Sequence, residues 1–401
     1  MKKIILYIIL LINISCSTYQ KEEYININIE GALSKKEQLE ISDIGEHIVY
    51  IPLETKDESL IGKRAYVRML NDKLLIASFQ QPIKMFDKKT GKFIKTIGKI
   101  GQGAYEYTLQ EGVPIFWIDE ENGIIYVQSE GRKIVRFNEN GEAVDIVELP
   151  DVFPFNQAAS QVALNNQLFV YQKSLFKKYE DKILVYNILH RQIENKIANT
   201  DDPVPMDLSQ GPLVIRGSEH IPVSPSCVIF SLNDNRLVFH YAKEPCLWTF
   251  DKKVYFKETF NDTIYYVSDN KLEPRFVFNL GKRHIDYENR YKVEGNEDKI
   301  VIDYILEGKK ALFFVFRINY YNLKDSKTYL GVYNKENNQV KVTDVNEIED
   351  SKNNLLIGKL FTATSDGKLV GLMDSNAFLE KNNNSNLNIS EEDNPIIIII
   401  E

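Results

Sequence analysis

A strand-turn-strand pattern recurs along this chain of 401 residues and constrains its fold more than any other feature. It appears as IKMFDKKTGKFIKTIG (83–98), KIVRFNENGEAVDIVEL (133–149), ILVYNILHRQIENKIA (183–198), TIYYVSDNKLEPRFVFNL (263–280) and YLGVYNKENNQVKVTDV (329–345). Each unit is an aliphatic strand ending in an aromatic residue, a polar turn, and a second strand. The aromatic markers are Phe86, Phe137, Tyr186, Tyr266 and Tyr333. Their first intervals are about 50 residues and the later ones longer, the period of propeller blades carrying insertions. No long stretch keeps a helical period, so the chain is expected to be all-β, a six-bladed β-propeller.

Each such hairpin supplies the outer half of a blade, and runs like GVPIFWIDEENGIIYVQS (112–129) supply an inner pair. A sixth inner pair stands at LFTATSDGKLVGLMD (360–374) without outer strands of its own. HIVYIPLET (47–55) and PIIIIIE (395–401), at the two ends of the chain, are the available candidates. Their pairing closes the ring and buries an isoleucine run that would otherwise promote aggregation. Three polar segments, 200–226, 282–298 and 378–394, interrupt the pattern as insertions on the scaffold.

The N-terminus carries an address. Lys2 and Lys3 precede an apolar run from Ile4 to Ile12, too short to span a bilayer, and Ser15 stands directly before Cys16. The Ser-Cys end of that run resembles the lipobox of bacterial lipoproteins, although Asn13 stands where an aliphatic residue is usual. That resemblance implies a signal peptide over 1–15, acylation of Cys16 and an anchor in the outer membrane of the cell envelope. Residues 16–42 are then a tether and 43–401 the propeller. Within the tether, Gln20-Lys21-Glu22-Glu23 fits either a solvated linker or a surface-export signal of the Gln-Lys-acidic type.

Charge and cysteine usage narrow the field. A net charge of −8 with no long basic run argues against nucleic acid as a partner. Cys227 and Cys246 remain after Cys16, either as a single disulfide or as two buried thiols. They have no CxxC or HxxxH companions, so the sequence offers no metal site.

The long stretches PLETKDESLIG (52–62), FDKKTGKFIKTIGKIGQGAYEY (86–107), FNDTIYYVSDNKLEPRFVFNLGK (260–282) and EDNPIIII (392–399) together resemble six-bladed β-propeller lipoproteins of Gram-negative bacteria, akin to NHL-repeat propellers. The resemblance implies fold and location and carries no catalytic residue. Where that family has Gly-Pro-Gly-Glu-Tyr, this chain has Gly103-Ala104-Tyr105-Glu106-Tyr107.

Gly98, Gly101 and Gly103 raise the question of a phosphate loop. No Gly-Lys-Ser/Thr end and no helical period follows them, and Glu106 would repel an anion. We read the stretch as an inter-blade turn, with Tyr105 and Tyr107 packing where two blades meet. The five histidines lack ligand spacing, and no G-x-S-x-G motif is present. Most of the conspicuous acids, such as Asp87, Glu121, Asp234, Asp269 and Asp366, fall in turns that their side chains serve. No catalytic residue, metal or cofactor is therefore assigned. The expected function is a monomeric, non-enzymatic binding module for a glycan, peptide or partner protein, joined to the membrane through its lipid. The alternative is a propeller hydrolase or lyase acting on a polysaccharide or a modified peptide.

Overall fold

Six twisted antiparallel sheets stand around a common axis in a computed structural model. It describes residues 24–401 except 111, 154–157, 174–177, 201–211, 218–225, 232–236, 242–245, 323–324, 345–347, 358–359 and 383–385. Blade 1 runs from an innermost strand at Tyr66–Leu70 through Lys73–Ala77 and Ile83–Asp87 to an outermost strand at Phe93–Ile97. Blades 2 and 3 repeat this order with innermost strands at Ile115–Asp119 and Ala158–Leu164. Blades 4 and 5 begin at Leu247–Phe250 and Ile300–Glu307. All five hairpins marked by aromatic residues in the sequence form the outer halves of these blades.

Blade 6 is built from both ends of the chain, as the terminal strands predict. Leu360–Ala363 and Leu369–Met373 are followed by Ile396–Ile400, and Ile48–Pro52 pairs antiparallel with that run as the outermost strand. The isoleucine run is buried on both faces because strand side chains alternate. Ile396, Ile398 and Ile400 pack toward blade 5 beside Phe313 and Val315. Ile397 and Ile399 pack toward blade 1 beside Val67 and Ile76. Each seam between neighbouring blades has an apolar cluster of this kind, so the core is a ring of interfaces.

The stretch 24–42 departs from its expected role as a tether. Ile25–Asn28 adds a fifth strand to blade 4, parallel to its outermost strand Leu272–Asn279. A short helix follows at Ile29–Leu33, with the Asn28 side chain accepting from the Gly31 N–H at 3.0 Å. A second helix at Ile41–Ile44 leads into blade 6. Ile27, Ile29 and Leu39 are fully buried, so this segment is held by apolar burial worth roughly 1.5–3 kcal/mol per side chain. Its ININIE alternation is the sequence signal that a linker reading overlooks.

Strands alternate in direction, so the turns joining the first to the second and the third to the fourth strand of a blade emerge on one face, called here the turn face, and the turns joining the second to the third emerge on the other. The opposite connector face holds the insertions. Between blades 3 and 4, Pro212–Gly217, Ser226–Ser231 and Leu237–Tyr241 form a separate small sheet, tied to the next insertion by the Leu237 N–H donating to the Tyr291 carbonyl at 2.8 Å. Cys246 is buried at the start of blade 4. The alternative of a bridge to Cys227 involves a side chain outside the described residues, and Cys16 also lies outside them.

Candidate functional site

The glycine-rich stretch 95–107 is the corner between blades 1 and 2. Gly98 has φ +58°, and a Cβ there would lie 2.7 Å from the Phe137 ring and 2.9 Å from the Tyr107 ring. Only glycine meets both demands. Tyr107 is fully buried, and its hydroxyl donates to the Ile97 carbonyl and accepts from the Ile83 N–H, both at 2.9 Å. Tyr105 departs from the reading that pairs it with Tyr107: it is 51% exposed, because the turn directs it outward. Gly101 and Gly103 wrap the Glu106 carboxylate, which accepts from the Gly103 N–H at 2.9 Å. An amide of the kind that would cradle a phosphate is already satisfied by an anionic side chain.

On the turn face, three inner turns meet across the axis. Ser365 of blade 6 donates its N–H (3.0 Å) and its hydroxyl (2.5 Å) to the Glu120 carboxylate of blade 2. The Ser365 carbonyl accepts from the Asp251 N–H of blade 4 at 2.8 Å. Burial raises the Glu120 pKa above the usual carboxylate value, the Ser365 donors oppose that rise, and the nearby Asp366 charge adds to it. Arg68, on the innermost strand of blade 1, donates to the Phe116 carbonyl at 2.9 Å, and burial lowers its pKa.

Beside this strut, the turns of blades 2, 4, 5 and 6 and both ends of the propeller chain enclose a basin of about 850 Å³. Glu46, His47, Asp251, Lys309, Glu336 and Glu401 are among its lining residues. Gly367 also lines it. At φ +83°, a Cβ on Gly367 would fall 2.5 Å from the Lys309 nitrogen and 2.9 Å from the Phe250 ring. The blade 4 turn is a two-residue hairpin with Asp251 and Lys252 both left-handed, at φ +47° and +57°. A lysine in that conformation costs roughly 1–2 kcal/mol, offset by the Ser365 hydrogen bond and by the Lys252 to Glu121 ion pair at 3.2 Å.

Pairing sorts the charges of the basin. Lys368 holds Asp366 at 2.7 Å, and Lys310 donates to the Ser42 carbonyl at 2.7 Å. Lys368 lowers the Asp366 pKa against the opposing effect of burial, and Asp366 raises that of Lys368. Among the described residues, Lys309, Glu46 and Glu336 have no ion-pair partner. Behind the basin, buried Glu307 accepts from the Trp248 indole (2.8 Å), Arg275 (2.7 Å) and Lys335 (2.8 Å), locking blades 4 and 5 together. Burial lowers the Lys335 pKa while Glu307 opposes the shift.

Sequence reasoning missed the basin, since its residues come from turns far apart in the chain. Of the expected turn acids, Glu121 and Asp366 are brought to it, whereas Asp87 caps its own turn by accepting from Thr90. Among the described residues, no group of three or more His, Cys, Asp or Glu side chains is placed to hold a metal ion.

A family model described as Domain of unknown function (DUF4934) matches residues 24–401. No curated protein matches the chain. The crystal structure of a candidate exported protein from Bacteroides fragilis NCTC 9343 is similar over 94% of this chain and 99% of that one, at 19% identity and a TM-score of 0.63. BamB from Moraxella catarrhalis is similar over 89% of this chain and 98% of its own, at 12% identity and a TM-score of 0.35. The first likeness is one of fold.

Proposed function

The chain belongs to this family of domains of unknown function, and on that premise we propose that it is a lipid-anchored extracytoplasmic propeller that binds a ligand without transforming it. The observation that carries this reading is the basin. Four blades and both ends of the propeller build a cavity of ligand size whose Lys309, Glu46 and Glu336 side chains are left without ion-pair partners among the described residues. Such an arrangement suits a polar ligand carrying charge: a peptide, a charged glycan or a loop of a partner protein. The signal-like N-terminus and the likeness to a candidate exported protein support a place outside the cytoplasm.

A hydrolase or lyase reading rests on Glu120, a carboxylate with a raised pKa near Arg68. Its oxygens already accept from Ser365, which makes a strut the better account. The soluble chain from Glu23 onward, screened on peptide and glycan arrays, tests the proposal. For the ligand so found, the double variant Lys309→Glu/Glu336→Lys should weaken binding at least about tenfold, a loss near 1.4 kcal/mol, with unchanged melting. Unchanged affinity would move the site elsewhere, and ligand cleavage detected by mass spectrometry would establish the enzymatic alternative.

A further inference from the structure

The strand Ile25–Asn28 fixes where the chain leaves the propeller, and that point lies close in sequence to Cys16. We propose that docking of this strand on blade 4 orients the anchored protein, with the blade 4 rim turned to the lipid surface and the blade 1 rim turned away. The inference rests on acylation of Cys16 in the reading above.

Three observations support it. The strand pairs in register with Phe276 to Asn279, and Ile27 between them is fully buried, so the exit point is part of the folded domain. Seven residues lie between Cys16 and Tyr24, and the eight Cα steps from one to the other reach at most about 26–29 Å when fully extended. A tether so short holds blade 4 near the membrane and leaves the far side of the ring unable to turn inward. Finally, the strand runs parallel to Leu272–Asn279, which rises from the turn face, so a chain followed backward from Tyr24 heads toward that face. Tyr24 and Ile25 are 50% and 42% exposed at this exit, an amphipathic pair suited to a lipid headgroup layer.

One consequence concerns the basin. Blade 4 contributes Phe250, Asp251 and Lys252 to it, and the basin lies on the turn face, toward which the chain exits. Its ligand would then be a membrane-proximal one. The insertions on the connector face point away from the lipid.

Energy transfer to a lipid acceptor tests the orientation in the acylated full chain, reconstituted in vesicles. A donor dye is placed at the blade 4 turn through Asn270→Cys or at the blade 1 turn through Lys89→Cys, each in a Cys227→Ser background; both positions are exposed. Transfer from position 270 should exceed that from position 89 at least about twofold, given a tether of so few residues. A flexible insertion of about 20 Gly/Ser residues after Glu22 should erase the difference while the chain stays bound. Equal or reversed transfer in vesicle-bound protein would overturn the orientation and leave the anchored binding module standing. Failure of the full chain to associate with vesicles would remove the lipid anchor itself, and the orientation with it.

Discussion

His284 shows how a residue that looks isolated in sequence acquires a role from the fold. Its Nδ1 lies 2.5 Å from an Asp262 oxygen and its Nε2 lies 3.7 Å from Asp286, so it ties the insertion after blade 4 back to the blade. The hydrogen bond to Asp262 raises its pKa above the ordinary 6.5, and Asp286 adds to the rise. Partial burial and the Lys299 charge oppose it. Because the folded-state pKa is raised, the stabilisation is full below the unfolded value and is lost as pH rises through the folded one. The melting gap between wild type and His284→Gln is therefore expected to be widest near pH 5.5 and to narrow toward pH 9. A gap independent of pH would show that the ring acts by packing alone. The sequence does not reveal this pair, since Asp262 and His284 are 22 residues apart with a whole hairpin between them.

At the scale of elements, legibility followed local chemistry. The outer hairpins stood out because each carries an aliphatic strand, an aromatic marker and turn residues within one short window, as at Phe137 and Asn138-Glu139-Asn140-Gly141. The terminal strands were legible for a different reason: five consecutive isoleucines are tolerable only when buried on both faces. Ile25–Asn28 was not legible, because four residues of alternating Ile and Asn beside a charged linker give too brief a pattern to separate from a tether. The basin was illegible for a third reason, since its composition depends on which turns the ring brings together. Ending the chain after Pro395 removes the third strand of blade 6 and strips apolar cover from blades 1 and 5. The lost burial, roughly 1.5–3 kcal/mol for each of five isoleucines, is comparable to the whole net stability of a typical domain. The truncated chain should lack a cooperative thermal transition by circular dichroism, and a melting curve like that of the full chain would refute the closing role.

Closure at the rim is matched by a second device near the axis, and the two act on the whole molecule differently. Terminal strand pairing prevents the ring from opening between blades 6 and 1, whereas Glu120, Ser365 and Asp251 connect the alternate blades 2, 6 and 4. Blades that share no seam are thereby linked, which resists the shear that neighbour-only packing permits. Glu120→Ala leaves the Ser365 N–H and hydroxyl without their acceptor, and a loss of this kind costs about 1–3 kcal/mol. The expected readout is spatially specific. Amide hydrogen exchange should quicken at Ser365 and at Asp251, whose N–H depends on the Ser365 carbonyl, while the buried strand Leu74 to Ala77 of blade 1 keeps its protection. Unchanged exchange at both amides would mean that the inner turns are held by their own hairpins. A uniform rise across all blades would mean that the strut supports global stability instead of local alignment. Because Asp251 also lines the basin, the first outcome carries a functional corollary: the same variant should weaken the basin's ligand even though Glu120 is not among its lining residues.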